Sequence, residues 1–128
     1  MTDLTAAQAK SRESGKPMMV DFFATWCPPC KMLDANTYSD ARVIEASRKW
    51  VMVRIDVDQN KRLAMEHQIA TIPTIIVALP NGTQFTRESG YMPPSDMLKL
   101  MERAMQQMPA VKETPTDTGV SDEKVQQS

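Results

Sequence analysis

The chain is poor in metal ligands of the soft kind: two of its 128 residues are cysteine and one, His67, is histidine. A structural zinc centre takes four such ligands, so no metal is expected, and no other cofactor is called for. Charge of one sign is also lacking. Lysine and arginine nearly balance aspartate and glutamate, for a net charge of −1. That leaves nothing to attract nucleic acid or an anionic membrane surface. No apolar run is long enough to span a bilayer, so membrane insertion is not expected. The first residues, Met1-Thr2-Asp3-Leu4-Thr5-Ala6, show no basic stretch followed by an apolar core. The expected location is therefore the cytoplasm, with the periplasm as the alternative for a chain from which an export signal has been removed. Internal repeats are absent as well.

What is present suits a soluble protein with one core. Hydrophobic residues make up 41% and charged residues 24%, and the length supports one domain, expected over residues 1–108 and as a monomer. Both cysteines fall in one motif, Trp26-Cys27-Pro28-Pro29-Cys30. Val20-Asp21-Phe22-Phe23-Ala24 before it reads as a buried strand, and Lys31-Met32-Leu33-Asp34 after it as the start of a helix. Two thiols three residues apart at a strand-to-helix junction can close a small ring and reopen it, as a two-electron carrier must. Free N–H groups and the positive end of the helix favour a thiolate on the first sulfur. Proline is tolerated in a first helical turn, so Pro28 and Pro29 fit there and stiffen the ring. A purely structural disulfide is the competing reading, but its loop is too short to restrict the unfolded chain much. The pattern points to thiol–disulfide exchange.

The rest of the chain alternates between helix and strand signals. Residues 3–14 read as a helix, with Thr2 or Asp3 as N-cap, Gly15 as the stop and Pro17 beyond. A central strand over 18–24 and a helix over 28–36 follow. Thr37-Tyr38-Ser39-Asp40 breaks that helix and caps another over 41–49. Residues 50–57 form a second strand, parallel to the first, and Asp58-Gln59-Asn60 opens a helix that ends near Gln68. Residues 74–79 and 84–89 make a hairpin around Pro80-Asn81-Gly82-Thr83, and the last helix spans 96–107. Four of the eleven methionines, Met97, Met101, Met105 and Met108, recur at helical spacing and read as core rather than as a methionine-rich binding surface. From residue 109 no aromatic appears, and residues 109–128 are expected to be a disordered tail.

Three motifs in order carry a resemblance to a known family. Residues 21–31 around the cysteine pair, Asp56-Val57-Asp58-Gln59-Asn60, and Ile72-Pro73-Thr74 together resemble the thioredoxin family over about residues 17–107. Gly90 falls where that family has a glycine after its final strand. The resemblance implies an α/β thioredoxin fold, a four-stranded mixed sheet flanked by helices. Its strand order would be 50–57, 18–24, 74–79, 84–89, with the last two strands antiparallel to the first two. Thioredoxin has an additional leading strand, for which residues 1–16 supply no apolar run, so a helix is expected in its place. That feature and the break at 36–40 look more like the thioredoxin-like domains of bacterial thiol:disulfide interchange proteins. Pro28-Pro29 departs from thioredoxin's Gly-Pro.

The resemblance also implies roles. Cys27 would be the nucleophile, and Cys30, expected to be the more buried, the resolving thiol. Asp21, a lone charge among apolar neighbours, would be the buried acid that exchanges a proton with Cys30, with a raised pKa. Its competing reading is a solvated carboxylate at a strand end. Arg54 stands where thioredoxin has a lysine, and either pairs with Asp21 or is solvated. Pro73 would be a cis-proline that lets the Ile72 backbone receive a substrate strand. Trp26, Gly90, Tyr91 and Met92 would complete the surface around Cys27. His67 is assigned no chemistry. The implied activity is reduction of protein disulfides, with recharging by a thioredoxin reductase or a membrane thiol electron donor. Two alternatives stay open: a relay or maturation factor in an oxidising compartment, such as cytochrome c maturation, and a non-catalytic binding module on the same fold.

Overall fold

The computed structural model describes residues 1–108, and the expected tail lies outside them. Its elements run α1 (Leu4–Ser14), β1 (Met18–Phe23), α2 (Pro28–Met32), α3 (Ala41–Ser47), β2 (Val51–Asp56), α4 (Lys61–Glu66), β3 (Thr74–Ala78), β4 (Gln84–Ser89) and α5 (Pro94–Met105). The sheet order is β2-β1-β3-β4. β1 pairs in parallel with β2 and antiparallel with β3, and β3 pairs antiparallel with β4. This is the mixed α/β sheet of the thioredoxin fold. One detail differs from expectation: only β3 runs against β1. Two successive reversals, β1 to β3 and β3 to β4, return β4 to the direction of β1.

β1 is apolar on both sides because both sides are covered. Met18, Val20 and Phe22 join Leu4, Ala7, Val51, Val53, Ile55, Ile76 and Ala78 in one core, under α1. Met19 faces the other way, with Leu33, Val43, Ile75, Val77, Met97 and Leu100 under α3 and α5. β2 lies at the sheet edge and alternates: Val51, Val53 and Ile55 are buried, whereas Met52, Arg54 and Asp56 are half-exposed. The methionine stripe is core, with Met97, Met101 and Met108 almost fully buried.

α1 is bounded by the signals the sequence carries. Asp3 Oδ1 accepts the Ala6 N–H at 3.1 Å, and Gly15 takes a left-handed φ of 73° that closes the helix. Among the described residues the N-terminal segment adds no strand, but Met1 makes two strand-like bonds to the β2 edge. Its amino group donates to the Met52 carbonyl at 3.0 Å, and the Arg54 N–H donates to the Met1 carbonyl at 2.8 Å. α2 does not simply stop near Asn36. It widens into a π-helical turn over Leu33–Thr37, where the Tyr38 N–H reaches the Leu33 carbonyl at 2.8 Å. Buried Thr37 pins this turn by donating its hydroxyl to the Met92 carbonyl at 2.6 Å. No helix among the described residues is long and apolar enough to cross a membrane.

A core role for the stripe has a direct consequence. Met97→Ala should cost about 2–5 kcal/mol in urea unfolding, because the cavity it leaves cannot fully collapse. Met65→Ala, at a side chain 78% exposed, should change stability by less than about 0.5 kcal/mol. Equal effects at the two sites would contradict this placement of the stripe.

Candidate active site

β1 delivers the chain to the site. After Phe23, Ala24 is still buried, Thr25 and Trp26 emerge, and Cys27 turns back in as the N-cap of α2. Cys27 and Cys30 are paired as a disulfide, with Cα atoms 5.2 Å apart. The Cys30 N–H points at Cys27 Sγ from 3.3 Å, so a backbone donor that α2 leaves free is spent on the first sulfur. Pro28 and Pro29 occupy the first turn, where no N–H is missed. Burial does not rank the two cysteines: each is 2% exposed. The expectation that Cys30 is the more buried is therefore corrected. Both sulfurs sit in one apolar cluster with Ala24, Phe23, Val57 and Ile72, and the two differ in position on the helix rather than in depth.

The loop before β3 forms the facing wall. The Ile72–Pro73 peptide is cis, and the Ile72 carbonyl oxygen lies 3.8 Å from Cys27 Sγ. Gly90, at φ 91°, donates its N–H to the Pro73 carbonyl at 2.8 Å, which ties the end of β4 to this loop. That φ lies in the left-handed region, which side chains disfavour. Trp26 is 62% exposed and is held at the rim by its indole N–H, which donates to Asp58 Oδ2 at 2.8 Å. Tyr91 and Met92 are not in the cysteine cluster. They pack, half-buried, against the core beneath α5.

Asp21 lies mid-way along β1 on the α3 side of the sheet, its side chain 3% exposed. Tyr38 donates its hydroxyl to Asp21 Oδ2 at 3.0 Å. Arg54, the register partner of Asp21 on β2, brings Nε to 3.7 Å from the same oxygen. Its guanidinium is also drawn to Asp34 Oδ1 at 3.2 Å and lies 4.1 Å over the Phe23 ring. Of the two readings of Arg54, the structure favours a loose ion pair with Asp21 over a free solvated side chain, with the side chain 37% exposed. Asp21 Oδ1 and Arg54 Nε are buried without a hydrogen-bond partner. Loss of solvation raises the Asp21 pKa from the ordinary 3.8 to about 6, against the opposing pull of Arg54 and the Tyr38 hydrogen bond. Desolvation wins.

A cavity of about 230 Å³ opens beside this group, lined by Asp21, Asp34, Tyr38 and Arg54 at one end and by Met19, Val43 and Met52 along its apolar wall. Tyr38, Asp34 and Asp58 were not singled out for chemistry by sequence reasoning. Asp34 lies in the widened turn after α2 and Tyr38 directly follows it, and nothing in their spacing signals that turn. Asp58 could have been found, since it stands in the Asp56–Asn60 motif. His67 takes no part here: its ring packs against Phe22, with centroids 5.5 Å apart.

The family model described as Thioredoxin matches residues 4–103. The thiol:disulfide interchange protein DsbD of Campylobacter jejuni is 33% identical over 94 residues, which is 68% of this chain but 16% of that protein. A thioredoxin of Mycoplasmoides gallisepticum is 32% identical over 89 residues, 70% of this chain and 85% of the other. In fold, the chain is similar to the solution structure of a thioredoxin from Thermus thermophilus, with a TM-score of 0.76 and 24% identity, covering 88% of this chain and 91% of that one.

The buried carboxyl has a measurable signature. Because the folded pKa of Asp21 is raised, the native state binds this proton more tightly than the unfolded chain does. Its contribution is complete below about pH 4 and is lost as pH rises through about 6. The loss amounts to on the order of 3 kcal/mol. Asp21→Asn should abolish that slope in urea titrations and make the protein more stable at pH 7, by roughly 1–3 kcal/mol once the lost attraction of Arg54 is discounted. A less stable variant at pH 7 would mean that Arg54 and Tyr38 outweigh burial.

Proposed function

Because the chain belongs to the thioredoxin family, we propose that it is a thiol–disulfide oxidoreductase that reduces protein disulfides with Cys27 and Cys30. The observation that carries this reading is the cysteine pair itself. Its sulfurs are joined at the start of α2, with the Cys30 N–H on Cys27 Sγ and the Ile72 carbonyl beside it. That N–H stabilises negative charge on Cys27, which makes it the attacking thiolate. Cys27 attacks one sulfur of the substrate disulfide. A mixed disulfide forms, and the other substrate sulfur leaves as a thiolate that takes a proton from water. Cys30 then gives its proton to Asp21 through water and attacks Cys27 Sγ. The second substrate thiol is released and the Cys27–Cys30 disulfide remains. Two electrons pass from the pair to the substrate.

Exposed Trp26 and Pro28, with half-buried Pro29, Ile72 and Gly90 around buried Pro73, supply the surface on which a substrate backbone would lie. Tyr91 supports it from the core side. The partners are disulfide-bearing proteins and a reductase that restores the dithiol. A second reading, a thiol relay in an oxidising compartment fed by a membrane electron donor, draws on the likeness to the interchange protein of Campylobacter jejuni. The chain spans only 16% of that protein.

Insulin reduction with NADPH and a thioredoxin reductase tests the leading reading. The wild type should turn over. Cys27→Ser should show no attack, and Cys30→Ser should accumulate a covalent complex with substrate. Asp21→Asn should leave the first attack nearly unchanged and slow resolution by at least roughly tenfold. Trapping by Cys27→Ser instead would reverse the roles of the thiols. Activity with a membrane thiol donor alone would favour the relay.

A further inference from the structure

Asp21 is held from one side only. The Tyr38 hydroxyl and Arg54 Nε both address Oδ2, at 3.0 and 3.7 Å, and Oδ1 is left buried with no partner. Arg54 is not free to do more, since Asp34 and the Phe23 ring claim its guanidinium. Tyr38 therefore makes the one hydrogen bond that the Asp21 side chain receives among the described residues. We infer that Tyr38 is a positioning residue of the exchange reaction: it anchors Oδ2 and reserves Oδ1 as the oxygen through which Asp21 accepts the Cys30 proton. This rests on the proton-acceptor reading of Asp21 given above.

The chemistry of Tyr38 fits an anchor rather than a relay. Burial, and the negative charge of Asp21 beside it, push the phenol well above its ordinary pKa, so it remains a neutral donor. A neutral donor stabilises the carboxylate over the carboxylic acid and so sets the pH at which the base becomes available. The charged and titratable groups facing Asp21 are Arg54 from β2, and Tyr38 and Asp34 from the widened turn after α2 and the residue that follows it. Of these, Tyr38 is the neutral one, so its contribution can be removed without changing the local charge. The turn matters here. Its extra residue per turn, together with the Thr37 bond to Met92, fixes where the Tyr38 ring enters the sheet face.

The experiment uses the full-length chain, reduced beforehand, and a disulfide of two chromophoric aromatic thiols, 5,5′-dithiobis(2-nitrobenzoate), in stopped flow. The first equivalent of released thiolate reports attack by Cys27, and the second reports resolution by Cys30. Tyr38→Phe keeps the ring and its packing. It should move the pH midpoint of the resolution step upward by about one unit, so that resolution at pH 6 falls roughly fivefold and changes less than about twofold at pH 8. The first equivalent should be released at the wild-type rate. Carbon-13 titration of the Asp21 carboxyl should show the same upward shift. In an Asp21→Asn background, Tyr38→Phe should have no further effect on the resolution profile. An unmoved Asp21 midpoint, or an unmoved resolution profile, with Asp21→Asn still slow, overturns the role of Tyr38 alone. Normal resolution by Asp21→Asn overturns the proton-acceptor reading and this inference with it. A Tyr38→Phe protein that is less stable in urea but keeps the wild-type pH profile assigns Tyr38 to packing and overturns the inference.

Discussion

β1 is bonded on both edges and covered on both faces, so its side chains from Met18 to Phe22 must live without water, and only Phe23 at its end is half-buried. All of the buried ones but Asp21 meet that condition by being apolar. The consequences spread from that one strand. Its register with β2 sets Arg54 opposite Asp21, and its end delivers Ala24 and then Cys27 to the start of α2. Its antiparallel neighbour β3 begins directly after the Ile72–Pro73 peptide that faces the sulfurs. Dry surroundings also amplify charge: a carboxyl with one hydrogen bond and a displaced guanidinium cannot recover what it loses on leaving water. The site is thus a property of the central strand before it is a property of any loop.

Much of this was legible in the chain. Strands β1 and β3 are apolar runs, except for Asp21 and Thr74, because both faces are covered, whereas β2 alternates because one of its faces is half-exposed. Asp3 and Gly15 bound α1 by chemistry that any helix uses. The cysteine pair, Asp21 and Ile72-Pro73 could be read as candidates one by one. What could not be read depended on three-dimensional phase. The direction of β4 follows from counting reversals across the sheet, which no local pattern records. The π-helical turn depends on where the Thr37 hydroxyl finds a carbonyl, 55 residues away. Tyr38 meets Asp21 only because of that turn, and in the sequence alone it reads as part of a helix break. The place of Tyr91 in the sequence points to the surface around Cys27, whereas the side chain packs, half-buried, against the core under α5.

Equal burial of the two cysteines changes the basis of the division of labour proposed for them. Depth does not protect Cys30, since Cys27 is as deep. The asymmetry is in the backbone. Cys27 is the N-cap and its sulfur receives the Cys30 N–H, whereas Cys30 lies within the first turn. One helix terminus therefore supplies a stabilising donor to one sulfur, and negative charge collects preferentially there. In the proposed reaction a substrate would approach from the rim, where Trp26 and Pro28 are exposed, toward the side on which the Ile72 carbonyl lies.

An apolar residue at position 21 would suit the strand better, and the persistence of a carboxyl there sets three opposing influences against one another. Desolvation alone would hold Asp21 protonated far into the neutral range, where it could not accept a proton. A full ion pair with Arg54 would keep it ionised throughout, and a permanent carboxylate tightly paired to a guanidinium is a poor base. Neither extreme is realised. Arg54 stays 3.7 Å away because Asp34 and Phe23 divert it, and Tyr38 supplies a single neutral hydrogen bond in its stead. The balance leaves Asp21 near 6, where both protonation states are populated close to neutral pH. A group that must take a proton in one half of a cycle and surrender it in the other works best in that range. Under the role proposed for Asp21, the instability of a buried charge and the usefulness of a poised base are the same physical fact, and Asp34 and Phe23 take part in it by drawing the Arg54 guanidinium toward themselves.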